Sequence, residues 1–479
     1  MGCWRYNAPL VGALRCYAVK DSVRFHMPGH KGGRGPGRKF RKCFQKNLFR
    51  WDVTEIPGLD NLHDPRGAIK RSQELLARLY NADRSFFLVN GATSGVIAMM
   101  GAALGPGDKV ILSRACHKSV ISALVITGAS PVYAMPRWDR ELGVYAGIEA
   151  ENLEKSIKQN PGAKAVVITN PSYQGFCPDI GRITAAAGDL GLKVLVDEAH
   201  GPHFAFSPLL PPSAGDFRVD AWVQSPHKML CSLTQTAWLH IRGKGLDAER
   251  LKSYISLVTS TSPSYVLMAS LDYTRALMER HGKYLTEKAL ALAERARKLI
   301  NLHTPFYCVG PEVRGRNGIF DIDLSRLMVN VSCAGFTGFE VDRALREKFN
   351  IYSEYSDSCN VYFLVTFSNN RRDVIKLVKA LSSFKRKKRI TEFPAMPETL
   401  PPRAADPREA FLAGGEQVPL EHSRGRVLKE ALVPYPPGVP LLMPGEVMEQ
   451  VHIELINNLR AGGGCVQGAG PEGVWVVKE

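Results

Sequence analysis

Two segments carry side chains suited to chemistry on a planar, charged group: VLVDEAHGPH (Val194 to His203) and QSPHKML (Gln224 to Leu230). In the first, an apolar strand ends in Asp197, and Glu198, Ala199 and His200 follow. Three chemistries fit that string. An aspartate at the end of a parallel strand can bond a protonated ring nitrogen. Asp197, His200 and His203 could hold a metal. DEAH after an apolar strand is also the magnesium-binding pattern of a helicase-type nucleotide site. The helicase reading lacks its other half, because no GxxxxGK[ST] phosphate loop is present. GGRGPG at Gly32 to Gly37 neither follows an apolar strand nor opens a helix, and GPGDK at Gly105 to Lys109 has the wrong order. The metal reading lacks a firm third ligand, so no metal is expected.

Lys228 follows a short strand and is preceded by Ser225 and His227, both able to donate to a phosphate. Alone it reads as a surface lysine. Placed after the strand next to that of Asp197, it becomes a potential Schiff-base amine facing a carboxylate in one crevice. NGATSG (Asn90 to Gly95) follows the strand FFLV and opens a helix, a geometry in which backbone N–H groups and the Thr93 and Ser94 hydroxyls can cradle a phosphate. CHKSV (Cys116 to Val120) starts another helix with His117, whose flat ring could stack on a planar cofactor. A phosphate cradle, a flat ring, a carboxylate and an amine together describe a pyridoxal-phosphate pocket. Lys228 would hold the cofactor covalently, and Asp197 would keep its pyridine nitrogen protonated.

The elements that must position these groups alternate. Apolar runs at Phe86 to Val89, Lys109 to Leu112, Pro131 to Met135, Ala165 to Thr169, Lys193 to Val196 and Ala221 to Gln224 read as strands. Between them lie helix-compatible stretches at Ser94 to Leu104, His117 to Ile126, Glu151 to Gln159 and Ile180 to Leu190. This predicts an α/β fold with a mostly parallel sheet, whose ligands gather at the carboxyl ends of the strands. Four parts are expected. Residues 1–65 read as an irregular segment and 66–300 as the major domain, which closes with a long helix from Ser264 to Asn301. Residues 301–390 form a small α+β domain, with a helix at Glu340 to Lys348 and a strand at Val361 to Phe367. Residues 391–479 comprise a proline-rich linker and a C-terminal domain with a helix near Val447 to Leu459.

Composition narrows the function classes. The 479 residues are 45% hydrophobic and 23% charged, an ordinary globular balance. Neither a membrane span nor a signal peptide is read. The ten cysteines form no CxxC pair, which fits a reducing cytoplasm and no disulfide framework. The net charge of +16 is concentrated in a run from Arg24 to Arg50 and in KRKKR from Lys385 to Arg389. Without aromatic interleaving or a recognition-helix pattern, these runs read as solvated faces and not as a nucleic-acid interface.

Taken together, FHMPGHKGG (Phe25 to Gly33), LDNLHDPRG (Leu59 to Gly67), NGATSG, CHKSV, NPSYQGF (Asn170 to Phe176), VDEAHG, QSPHKML and YPPGVPLLMPGE resemble the ornithine/lysine/arginine decarboxylase family. The resemblance covers essentially the whole chain and looks most like the compact bacterial arginine decarboxylases. It implies the aspartate-aminotransferase-like fold (fold type I), a homodimer or larger assembly with a shared pocket, and polyamine biosynthesis. It also implies residue roles. Lys228 is the Schiff-base lysine, Asp197 the partner of the pyridine nitrogen, and His200 its neighbour. His117 stacks on the ring, and Thr93, Ser94, Ser225 and His227 lie on the phosphate side. Glu354, in IYSEYSD, matches an acidic residue that reaches the substrate's distal cation. The shared pocket predicts His26, His30, Lys31 and His63 near the cofactor, with His30 and His63 toward substrate. The chain departs from the pattern at GATSG, where compact members often have GTSG, and at Cys359, where an aromatic is common. The expected reaction is decarboxylation of a basic amino acid, arginine first. Lysine or ornithine decarboxylation, aminotransfer and a nucleic-acid role are the alternatives.

Overall fold

The computed structural model describes residues 7–19, 48–387, 396–435, 438–461 and 463–478. FHMPGHKGG, with His26, His30 and Lys31, lies outside the described residues, as does most of the first basic run.

Seven strands form the central sheet: β1 (Arg84–Leu88), β2 (Lys109–Ser113), β3 (Ser130–Ala134), β4 (Ala165–Thr169), β5 (Lys193–Asp197), β6 (Ala221–Gln224) and β7 (Ala237–Ile241). Their spatial order is β1-β7-β6-β5-β4-β2-β3. All pairings among β6, β5, β4, β2 and β3 are parallel, and β7 runs antiparallel to both neighbours. Side chains alternate between faces. Val194 and Val196 enter the core beneath the helices Ala68–Leu79, Ala150–Gln159, Ile180–Asp189 and Tyr265–His303, whereas Leu195 enters the core under Gly91–Ala103 and Lys118–Thr127. A sheet covered on both faces explains why KVILS, AVVIT and KVLVD read as apolar runs and not as alternating patterns.

Six of the seven strands fall where the sequence predicts them, within a residue or two. The seventh, β7, and the helix Ala248–Leu257 are additions. Residues 1–65 also need correction, because Pro9–Val19 is a helix that buries Leu10, Val11, Leu14 and Ala18. Pro9 is tolerated in its first turn, where the N–H has no partner to lose. The Leu10 and Val11 N–H groups donate to Asp272 Oδ2 (3.0 and 3.3 Å), a cap supplied from the long helix 262 residues away. Each buried Leu or Val contributes about 1.5–3 kcal/mol.

LDNLHDPRG is built around Asp60, a non-glycine residue at φ +74°. Its carboxylate accepts from the backbone N–H groups of Asn61, Arg66, Gly67, Ile69 and Lys70, and so caps the helix Ala68–Leu79 from outside.

Beyond the long helix, an antiparallel sheet runs in the order Tyr307–Cys308, Arg326–Asn330, Asn360–Leu364, Tyr355–Ser356. The helices Gly338–Phe349 and Arg371–Ser382 cover it, with Leu327, Val329, Val361 and Leu381 in its core. The C-terminal region has its own core around Leu428, Leu442, Met448 and Ile456. It is tied to the end of β2 by a buried pair. Arg114 donates to both oxygens of Glu446 (Nε to Oε1 3.2 Å, Nη2 to Oε2 2.8 Å) and to the carbonyls of Pro440 and Leu441 (2.9 Å each).

Candidate active site

The carboxyl ends of β1, β2, β4, β5 and β6 open into one cleft of about 500 Å³. Thr169, Asp197 and Val223 are in register across β4, β5 and β6, so the loops leaving these strands meet at one level.

On β1, the chain turns at Gly91, whose φ of +72° suits glycine, and enters the helix Gly91–Ala103. A side chain at Gly95 would collide with Val223 and Leu88, so the second glycine of GATSG lets the helix lie directly on the sheet. Gly91, Ala92 and Thr93 line the cleft at the helix N-terminus. The Gly91 N–H donates to the Gln235 carbonyl (2.8 Å), so the ligand-facing amides are those of Ala92 and Thr93. Ser94, the next residue, is not part of the cleft lining. It is buried, and its hydroxyl donates back to the Gly91 carbonyl (2.8 Å).

His117 caps the helix Lys118–Thr127, its Nδ1 accepting from the Ser119 N–H (3.2 Å). The ring faces the cleft. Burial lowers its pKa, opposed by Asp197 and reinforced by Lys228 and Lys118, so it presents a neutral flat surface. Asp197 ends β5 and accepts from the Ala199 N–H (3.1 Å). The next residue, Glu198, turns away from the cleft into a fully buried knot. Asn170, Ser213, Ala214 and Gln224 all donate to it, and burial still pushes its pKa up to about 8.

Ser225, His227 and Lys228 follow β6 and line the same cleft. His227 Nδ1–H donates to the Thr236 carbonyl (2.7 Å), which leaves Nε2 to face a ligand. Burial lowers its pKa, so an anion is needed to favour the protonated, donating form. The Lys228 amine is 2.8 Å from His200 Nε2. Burial pushes it down to about 8; Asp197 opposes that, Arg326 adds to it, and Glu354 opposes it. His200 is fully buried, and its other nitrogen, Nδ1, lies 2.6 Å from Arg326 Nη2.

Glu354 stands outside the cleft lining. Its exposed carboxylate accepts from the Tyr173 hydroxyl, and Tyr173 lines the cleft with its ring 4.7 Å from that of His200. Cys359 is buried at the cleft wall, beside Gly143. His63 is not brought to this cleft within the chain; its ring bonds the Ser260 carbonyl (2.9 Å) and Ser256 Oγ (3.3 Å). His203 pairs with Asp323 (3.2 Å). His30 lies outside the described residues.

Arg326, Tyr173 and Asp357 were given no role by sequence reasoning. Asp357 lines the cleft and its pKa is pushed up to about 6 by burial. A signal for Arg326 was available. It opens RLMVN, a strand that must be wholly buried, and a cation there needs a paid-up set of acceptors. They are Asp323 Oδ2 (3.2 Å) and the Tyr173 carbonyl (2.6 Å).

The donor set fits pyridoxal phosphate. The helix N-terminus with Thr93, Ser225 and His227 suits a phosphate, Asp197 a cationic ring nitrogen, His117 a flat ring and Lys228 an aldehyde.

The chain matches the family model for the Orn/Lys/Arg decarboxylase major domain over residues 8–324, and that for the C-terminal domain over residues 387–465. It is 38% identical to an arginine decarboxylase of Bacillus subtilis, over 96% of this chain and 95% of that one. With the lysine decarboxylase LdcA of Pseudomonas aeruginosa it shares 28% identity, over 91% of this chain and 73% of the other. The crystal structure of the lysine decarboxylase LdcF of Francisella novicida superposes with a TM-score of 0.88 at 22% identity, covering 99% of this chain and 82% of that one.

Proposed function

Because the chain belongs to the Orn/Lys/Arg decarboxylase family, we propose that it is a pyridoxal-phosphate enzyme that removes the α-carboxylate of L-arginine, releasing carbon dioxide and agmatine. The observation that carries the reading is the convergence of a buried amine, Lys228, with Asp197 and His117 at the carboxyl ends of three strands. The greater identity to arginine decarboxylases than to lysine decarboxylases favours arginine.

When bound, pyridoxal phosphate supplies an electron sink for the pair left on the α-carbon. Lys228 would hold it covalently. Asp197 would keep a proton on the ring nitrogen, and His117 would cover one face. Backbone N–H groups at Ala92 and Thr93, with the Thr93, Ser225 and His227 side chains, would bind the phosphate. Glu354 is assigned to the distal guanidinium, where a carboxylate can accept two parallel hydrogen bonds. An anchor so far from the α-carbon limits rotation there, so that carboxylate and not hydrogen is lost.

The four-part domain division, a cytoplasmic location and a homodimer with His30 and His63 contributed across the interface belong to the same proposal. Separate cores support the small domain and the C-terminal region as parts, whereas Leu10, Leu14, Val53 and Leu59 share the core of the major domain. The eight cysteines among the described residues, all free, support the cytoplasmic location. Sedimentation should give a dimer or larger; a fully active monomer rejects the shared pocket. Among the described residues, no helix is long and apolar enough to cross a membrane.

The test is to purify the protein with pyridoxal phosphate and offer arginine, lysine and ornithine separately, measuring carbon dioxide and the amine formed. Agmatine from arginine is expected. A preference for lysine or ornithine by about tenfold (~1.4 kcal/mol) rejects the arginine assignment.

A further inference from the structure

Three residues from different parts of the chain form a line. Arg326 Nη2 is 2.6 Å from His200 Nδ1, and His200 Nε2 is 2.8 Å from Lys228 Nζ. A guanidinium only donates, so Nδ1 must accept. A neutral imidazole carries one proton, which is then on Nε2, directed at Lys228. An ammonium has no lone pair to accept it, whereas a free amine has one. The hydrogen bonds are mutually consistent only when Lys228 is uncharged.

We propose that Arg326 is a positioning residue that fixes the tautomer of His200 and thereby favours the free-amine form of Lys228, the form that attacks an aldehyde. This rests on Lys228 being the cofactor-binding lysine. Arg326 is itself held: Nε donates to Asp323 Oδ2 (3.2 Å) and Nη1 to the Tyr173 carbonyl (2.6 Å). Ser325 donates to Asp323 Oδ1 from both N and Oγ (2.9 and 2.6 Å). Burial would raise the Asp323 carboxyl, but His203, Arg326 and Ser325 outweigh it and hold the group well below its usual range. Asp323 therefore stays anionic and keeps the guanidinium in place.

The other groups facing this line do not reverse it. His117, His227, Lys228 and Arg326 all disfavour a charge on His200, and burial adds to them. Lys228 faces Asp197 and Glu354, which favour its cation, against Arg326 and burial, which do not. The Tyr173 ring beside His200 adds no formal charge.

The experiment uses the full chain freed of cofactor and needs no turnover. Histidine-selective ¹⁵N spectra, assigned with His200→Gln, should show His200 protonated at Nε2 alone. Trace acetylation of Lys228, followed by mass spectrometry against pH, should have a midpoint near 8. In Arg326→Met the proton should leave Nε2 for Nδ1, and Nε2 then accepts from an ammonium. Labelling near neutral pH should fall about tenfold, an alkaline shift of about one unit. Arg326→Lys, another obligate donor, should restore the wild-type tautomer and midpoint. The proposal is overturned by an Nδ1–H or doubly protonated His200 in the wild type, by an unmoved midpoint in Arg326→Met, or by a shifted midpoint with the tautomer unchanged. Should the methionine variant not fold, the wild-type spectrum decides. A cofactor attached elsewhere would defeat the functional reading while leaving the tautomer result intact.

Discussion

The Glu354 carboxylate accepts the Tyr173 hydroxyl at 2.8 Å, so an exposed charge outside the cleft lining is tied to a residue that forms part of the cleft wall. Glu354→Gln keeps the shape and removes the charge. Arginine turnover, as kcat/KM, should fall about tenfold to a hundredfold, the loss of a charge-assisted bond of about 1.5–3 kcal/mol. The visible absorbance of the bound cofactor should not change. A wild-type rate in this variant rejects Glu354 as the anchor.

Covalent loading of the cofactor should depend on pH through Lys228. The free amine is the reactive form, so the rate at which cofactor-free protein regains visible absorbance should climb through about pH 8 and level off above it. Borohydride should then fix the label on Lys228. The folded chain binds fewer protons than the unfolded one between about 8 and the ordinary lysine value of 10.5, so this lysine makes stability rise with pH across that window. Its full cost is present below pH 8. A flat loading profile contradicts the assignment.

Asp60 gives the opposite sign. Burial would raise its carboxyl, but the backbone donors led by Arg66 hold it below the ordinary value. Its stabilisation is therefore complete above about pH 4 and is lost as the pH falls through the folded value. Asp60→Asn, which tolerates the left-handed backbone, should cost about 1–2 kcal/mol at neutral pH, as for other helix caps. The gap to wild type in denaturant melts should close in acid. A gap that persists at low pH means the charge is not what matters.

Removing one member of the Arg114–Glu446 pair should be severe. Both side chains are buried, and Glu446→Ala leaves a guanidinium without its carboxylate. Denaturant unfolding should show a loss of about 3–5 kcal/mol. A near-neutral result would mean that water already reaches Arg114.

Much of this was legible in the sequence. The strands of a doubly covered sheet announce themselves as Val- and Ile-rich runs, and Asp197, His117 and Lys228 stand where those runs end. What escaped depended on distant partners. The helix Pro9–Val19 is capped by Asp272, β7 is defined by antiparallel neighbours on both sides, and Arg326 meets His200 across 126 residues. The bond from Ser94 to its own turn is local, but which of several first-turn partners a serine takes is not written in the sequence.

The buried pair at the end of β2 also orders events in time. Arg114 and Glu446 are 332 residues apart, roughly half a minute of synthesis at about 10 residues per second. Through that interval the guanidinium lacks Glu446 and the Pro440 and Leu441 carbonyls, and the part of the cleft lining that Pro434 and Val439 supply is missing. The lysine pocket is thus finished late in translation, after the sheet beneath it has been made.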